Sequence, residues 1–320
     1  MLIPDLLTDI LQTMRLEHTI LCRCNLSAPW GIRFPAEPGE AVFHIVTRGQ
    51  CWLQLQGETP ILLATGDLVM FPHGQEHSIS DTISSPITDF VDTSIMRPNH
   101  GYNSIAFGGE GLAIELLAGC FQVRGDRRNP LLASLPTLIH VRSDHGHLVP
   151  WLETTLHYIT AELAITQLGF QTVIARLVDV LFIQAVRAYI AQIPDNQRNW
   201  LRALTDPELV VVLSLMQRSP EKAWTVASLA EQVSMSRSAF AARFTDLVGQ
   251  PPMQYLTTWR MVKATELLRE SQLGLKDVAM LVGYESEVAF SKAFKRCAGI
   301  APSFYRQDYL SKSSPLSLAG

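Results

Sequence analysis

Two stretches toward the C-terminal end of the chain spell one helical pattern twice. SLAEQVSMSRSAFAARF aligns with DVAMLVGYESEVAFSKAF on paired phenylalanines, so that Phe240 and Phe244 correspond to Phe290 and Phe294 at an offset of 50 residues. Such a repeat constrains the fold strongly, because both copies must adopt the same supersecondary unit. In each, a short helix carries a small residue, Ala230 or Ala279, where a second helix must pass closely. A turn follows at Ser234 or Gly283, and then a second amphipathic helix begins. That is the layout of a helix-turn-helix, stated twice. Phe240, Phe244 and Leu247 at i, i+4 and i+7 supply an inward stripe. Outward, or flanking the helix start, stand Arg237, Ser238, Ala241, Ala242 and Thr245. Their counterparts in the second copy are Glu287, Val288, Ser291, Lys292 and Lys295. The N-terminal residues of such helices reach base edges in a major groove, while Lys and Arg near the ends hold phosphates. These residues are therefore the candidate contacts to double-stranded DNA.

Between the copies, PPMQYLTTWRMVKATELLRES reads as one long helix opened by Pro251 and Pro252. About twenty residues at roughly 1.5 Å each span on the order of 30 Å. This is close to the ~34 Å between successive major-groove openings on one DNA face. A single chain can then occupy two adjacent grooves, which a plain helix bundle would not require. Thr205-Asp206-Pro207-Glu208 marks the start of this region, and a loose tail is expected over 309–320. The net charge of −4 looks wrong for a DNA binder until it is divided. From Asp206 onward there are 13 basic and 11 acidic residues, against 13 and 19 before it. The excess has the right sign but is small. A nonspecific chromatin binder would need more, so recognition has to come from the helices.

Residues 206 to 308 resemble the AraC/XylS DNA-binding domain, carried by WTVASLAEQVSMSRSAFAARFTDLVGQPPMQYLTTWRM and LKDVAMLVGYESEVAFSKAFKRCAGIAPSFYR. The resemblance implies base-region contacts from Arg237, Ser238 and Ala242, and from Glu287, Val288 and Lys292. Ala241, Ala242, Val288 and Ala289 are less polar than is usual there, which shifts the expected readout toward methyl contacts and DNA shape.

The front of the chain follows a different pattern. Short runs (VFHIV, CWLQLQ, ILLA, DLVMF, LAIELLA) alternate with turn signals from about Pro29 to Val141, as in a β-barrel or sandwich. Helices are expected from about Leu148 to Ala164 and from about Phe170 to Ala191. GDLVMFPHGQEHSISD, from Gly66 to Asp81, matches the second cupin motif with Asp81 replacing Asn, and His44, Val46 and Gln50 fall in the first. The front domain thus resembles the cupin-type sensory domain of a subgroup of AraC regulators. Metal-dependent cupins offer three histidines and a glutamate. Here His44 and His77 remain while Val46 and Gln50 replace the other two. The motifs place the two histidines on neighbouring strands with converging side chains. One reading is a transition metal held by them, with Cys51 or Glu76 nearby. The other is a pair of hydrogen-bonded interior histidines facing a small organic ligand or the core.

Five cysteines with no CxxC pairing read as thiols in a reducing compartment rather than as a disulfide or zinc framework. Cys22 and Cys24 flank Arg23 at the barrel entry, and are redox candidates if they are exposed beside that charge. Ile174, Leu177, Val178, Leu181, Ala185, Val186 and Tyr189 form an apolar face that serves either internal packing or a dimer seam. No membrane span or secretory signal is apparent, so a cytoplasmic location is expected.

The expected fold is α+β and multidomain: a cupin-like β-barrel over 1–145, a helical segment and linker over 146–205, and an all-α double helix-turn-helix domain over 206–308. The expected function is sequence-specific transcriptional regulation without enzyme activity. A small ligand, metal or redox effector would act through the barrel, with RNA polymerase and a second copy as further partners. The rival is a metal-dependent cupin enzyme fused to a DNA reader.

Overall fold

The computed structural model of the protein describes residues 6–11, 15–90, 102–124, 129–143, 149–165, 167–194 and 199–313. The chain divides into two compact units, each discontinuous in sequence. One takes Arg15–Arg124 and Leu135–Ile193, the other Met1–Met14, Gly125–Ser134 and Pro194–Gly320. Two short helices from the front of the chain, α1 (Leu6–Leu11) and α2 (Pro130–Ser134), therefore belong to the second unit.

In the first unit the strands are β1 (Arg15–Ser27), β2 (Gly31–Phe34), β3 (Glu40–Arg48), β4 (Gln50–Gln54), β5 (Ile61–Ala64), β6 (Leu68–Phe71), β7 (His77–Ser80), β8 (Thr88–Asp89), β9 (Tyr102–Gly108), β10 (Ala113–Arg124) and β11 (Ile139–Val141). They form a six-stranded sheet in the order β11-β6-β3-β10-β1-β9 and a five-stranded sheet in the order β5-β4-β7-β2-β8. Leu26, Val46, Phe71 and Leu116 from the first sheet share a core with Ile32, Leu53, Leu63 and Ile79 from the second. The period of two explains how each strand serves two layers. On β3, Val46 joins the core between the sheets, while Phe43 turns to the other face and meets Phe121. Phe121 in turn meets Phe182, so that face is covered by helix packing, and all four residues of β6 are buried.

The covering helices are α3 (Pro150–Ile165) and α4 (Phe170–Gln192), close to their expected limits. Ile174, Val178, Leu181, Ala185 and Val186 of the expected α4 face are buried, with Phe182 among them. Leu177 and Tyr189 are only half-buried, because the barrel and α3 cover a narrower arc than the apolar residues occupy.

The second unit continues with α5 (Trp200–Ala203), α6 (Leu209–Arg218), α7 (Val226–Glu231), α8 (Arg237–Val248), α9 (Pro252–Glu270), α10 (Leu275–Leu281), α11 (Glu287–Ala298) and α12 (Pro302–Ser313). The start signal works as a cap. Asp206 Oδ1 accepts from the backbone N–H groups of Glu208 and Leu209. Residues 309–313, given to a loose tail on sequence grounds, continue α12, whereas 314–320 lie outside the described residues.

Candidate nucleic-acid interface and barrel interior

The two helix-turn-helix units are built by the same local devices. In each turn one residue adopts a left-handed conformation, Ser234 at φ 54° and Gly283 at φ 79°. The next N–H closes back onto the small residue of the preceding helix, Met235 to Ala230 and Tyr284 to Ala279. A serine then caps the second helix: the hydroxyls of Ser236 and Ser286 accept from Ala239 and Ala289, each at 3.2 Å. The copies differ by one residue between turn and cap. The offset is 49 from Ser234 to Gly283 but 50 from Ser236 to Ser286, with Glu285 as the extra residue.

The inward stripe needs one correction. Phe240, Phe244 and Val248 are buried, and Leu247 is only half-buried. The stripe therefore runs i, i+4, i+8. Arg237, Ser238, Ala242 and Thr245 are exposed and Ala241 half-exposed; Glu287, Val288, Lys292 and Lys295 are exposed and Ser291 half-exposed. Ser238, Ala242 and Thr245, and Val288, Lys292 and Lys295, lie away from the paired phenylalanines, while Arg237 and Glu287 flank the helix start, three residues before Phe240 and Phe290.

The charge on the two helices differs. α8 has no acid in its first turn and no base in its last, whereas α11 has Glu287 at its start and Lys295 and Arg296 at its end. Those placements suit the helix dipole. Arg243 of α8 is engaged internally, with Nη2 2.7 Å from Asp206 and Nη1 2.6 Å from Glu208. The spacer α9, of 19 residues, is tied at its middle and near its C-terminal end. Arg260 donates to the carbonyls of Pro220 and Lys222 and lies 5.9 Å from the Tyr284 ring. Arg306 donates to Leu268 and Leu273. These arginines, which sequence reasoning did not single out, have no periodic signal; only the pairing of helices reveals them.

In the barrel, the expected convergence of His44 and His77 is present, but not on neighbouring strands. β3 and β7 belong to different sheets, and the imidazoles meet across the core with Nε2 to Nε2 at 2.8 Å. His77 is stacked between Phe71 at 3.9 Å and Phe34 at 5.0 Å, and its Nδ1 lies 2.8 Å from the Gln75 carbonyl. Burial brings His77 down to about 4 and holds His44 well below the usual imidazole range, with the His77 charge adding to the latter. Gly74 of the second cupin motif is required by its surroundings. It sits at φ 65°, and a Cβ there would strike the carbonyls of Glu37 and Glu40. Asp81, the departure from the motif, accepts from the Trp30 backbone and from Ser85, fixing the loop after β7.

The donors do not fit a cupin metal centre. No group of three or more His, Cys, Asp or Glu able to hold an ion occurs among the described residues. The two facing nitrogens already satisfy each other, closer than two ligands with Zn–N bonds of about 2.0–2.1 Å would normally stand around one tetrahedral ion.

Cys22 and Cys24 lie two apart on β1, so both face the core, with sulfurs 3.6 Å apart and each residue 6% exposed. Exposure beside Arg23 was the expectation. Strand alternation instead sends Arg23 to the opposite face, where it pairs with Glu115 at 3.1 Å. The hydrogen bond from Cys24 lowers the Cys22 thiol, while the same bond and burial push Cys24 up.

A cupin barrel joined to two capped helix-turn-helix units defines a DNA-binding regulator with a sensory-type front domain. The chain matches the Cupin family over residues 5–191 and the Helix-turn-helix domain family over residues 229–308. It is 34% identical, over 95% of its own length and 99% of the other's, to the HTH-type transcriptional regulator AlkR of Acinetobacter baylyi. A putative AraC-like transcription regulator of Streptomyces lividans is 33% identical over 95% of this chain and 98% of that one. Among solved structures, the DNA-binding domain of AdpA in complex with a target DNA is 34% identical, covering 33% of this chain and 96% of that one at a TM-score of 0.32. The chain belongs to the AraC family of DNA-binding transcriptional regulators, with an N-terminal cupin domain.

Proposed function

We propose that α8 and α11 enter successive major grooves on one face of the duplex while α9 sets their separation. The observation that carries this is the pair of serine-capped helices with matching outward faces on a 19-residue spacer. At roughly 1.5 Å per residue the spacer reaches about 30 Å, near the ~34 Å groove repeat. Arg237, Ser238, Ala241, Ala242 and Thr245 face one groove; Glu287, Val288, Ser291, Lys292 and Lys295 face the other. Selection of random DNA on the full chain is expected to return a bipartite motif with its halves about 10 base pairs apart. A single contiguous half would overturn the arrangement.

In the same reading residues 1–145 perceive an effector, 146–205 relay it, and 206–308 read DNA in the cytoplasm. The output is a change in DNA affinity or in contact with RNA polymerase. Support for a non-enzymatic barrel comes from Val46 and Gln50 in two of the four cupin ligand positions. Homodimerisation is supported by apolar side chains left exposed on the helices, Val173 and Val180 on α4 and Tyr158 and Ile165 on α3, each pair seven residues apart. Sedimentation at micromolar concentration tests it, and a monomer would exclude that seam.

A second reading of the effector rests on the cysteine pair. With sulfurs 3.6 Å apart and Cys22 in a cavity wall, oxidation of Cys22 and Cys24 would alter the barrel interior. Operator binding that responds to oxidant in wild type but not in Cys22→Ser supports it; an unchanged response in that variant removes it.

A further inference from the structure

Two of the shortest helices of the protein lead to the first DNA-reading helix. α2 follows β10 and precedes β11 in the chain, yet it packs on α5, and α5 packs on α8. Helices of five and four residues have no stability of their own, so their positions are set by what they touch. Leu131 and Leu132 of α2 are buried, as are Trp200 and Leu201 of α5. The second reading helix differs: α11 packs mainly on α9, α10 and α12.

Hydrogen bonds run along the same route. His73, in the loop of the cupin motif between β6 and β7, has its Nε2 3.1 Å from the Leu135 carbonyl. A carbonyl only accepts, so this nitrogen is the donor. The preceding carbonyl, that of Ser134 at the end of α2, accepts from the Asn199 side-chain amide at 3.4 Å. Asn199 Oδ1 accepts in turn from the Leu201 N–H at 2.9 Å and caps α5. One side chain thus holds α2 with its nitrogen and starts α5 with its oxygen. Beyond α5, Asp206 caps α6 with Oδ1 and takes Arg243 of α8 on Oδ2 at 2.7 Å. The segment 199–209 therefore grips α8 twice, by packing through α5 and by charge through Asp206.

We propose that Asn199 is a positioning residue that couples α8, and not α11, to the motif loop of the barrel, so that a change in the barrel reaches DNA through the first helix-turn-helix unit. That the change reaches DNA rests on the sensory reading of the barrel and on α8 entering a groove; that Asn199 couples α8 to the loop does not.

Asn199→Asp separates the two roles of the side chain. It keeps the capping oxygen, loses the amide donor and faces the Ser134 carbonyl with a second acceptor. Hydrogen exchange on the full chain, without DNA, reads the coupling directly. Amides of α5 and α8 are expected to exchange on the order of fivefold faster in this variant, the usual worth of one hydrogen bond, with α11 as in wild type. His73→Ala, at an exposed loop position, should accelerate the same two helices. The double variant should be no faster than the faster single one, since both changes cut one route. Aspartate caps a helix about as well as asparagine, so a residue that only capped α5 would leave α8 unchanged in Asn199→Asp. An unchanged α8, equal acceleration of α8 and α11, a response to Asn199→Asp without one to His73→Ala, or additive effects in the double variant overturns the proposal. Should Asn199→Asp not fold, His73→Ala carries the test alone. Faster exchange in α8 with operator affinity unchanged upholds the coupling and sinks the reading of α8 as a groove helix instead. Lower operator affinity with exchange unchanged sinks the coupling alone.

Discussion

The two helix-turn-helix units share a scaffold and differ in what they show to DNA. α8 presents Arg237, Ser238, Ala241, Ala242 and Thr245; at the equivalent positions α11 presents Glu287, Val288, Ser291, Lys292 and Lys295. The first face is small and has Arg237 as its one charge, its other arginine, Arg243, being held by Asp206 and Glu208. The second face carries two lysines and is followed by the exposed Arg296 where the first has Asp246. We propose that the duplicated fold is divided between tasks: α8 would read shape and methyl contacts, and α11 would supply more of the phosphate attraction.

If the scaffolds are equivalent, their cores should fail equally. Phe240→Ala and Phe290→Ala, both at fully buried sites, should each cost about 3–5 kcal/mol in denaturant titration. Costs differing several-fold would show that one unit leans on the other. The turns should respond unequally. Gly283→Ala places a Cβ 2.8 Å from the Pro220 carbonyl and 2.6 Å from Arg260 Nη2, at positive φ. It should cost about 1–3 kcal/mol. Ser234 already carries a side chain at φ 54°, so Ser234→Gly should stay within about 0.5 kcal/mol. Thermal melts of the two variants would separate them, and equal shifts would mean that the turns are interchangeable.

DNA binding sharpens the contrast further. Lys292→Ala should lose about 1–3 kcal/mol of operator affinity and reduce the salt slope by about 1, if it holds a phosphate. Lys222, which precedes α7 and has its ammonium 5.5 Å from the Trp224 ring, should matter less when truncated. Equal losses would mean that α11 is docked wrongly. The caps give the smallest effects. Ser236→Ala and Ser286→Ala should each cost about 1 kcal/mol of stability. A clear difference between them would trace to Glu285, the extra residue before the second cap.

Much of the reader is legible in the sequence because helical periodicity and caps are local. Phe240 and Phe290, the spacer and the Asp206 start signal all follow from near neighbours along the chain. What was missed depends on packing between elements. No local signal assigns Leu6–Leu11 to the helical unit, and none predicts that Arg260 joins the spacer to the first unit's loop and the second unit's turn. In the barrel, motif spacing brings His44 and His77 together but does not say that they lie in opposite sheets. For the cysteines a signal was available: residues two apart on a strand share a face, so Cys22 and Cys24 could not both stand beside Arg23.

Hydroxyl-radical footprinting of the full chain on a selected operator tests the two-groove account most directly. Two protected segments are expected on one face of the duplex, about 10–10.5 base pairs apart. In Lys292→Ala the protection under α11 should weaken first as salt rises. A single protected segment, or two on opposite faces of the duplex, would contradict it.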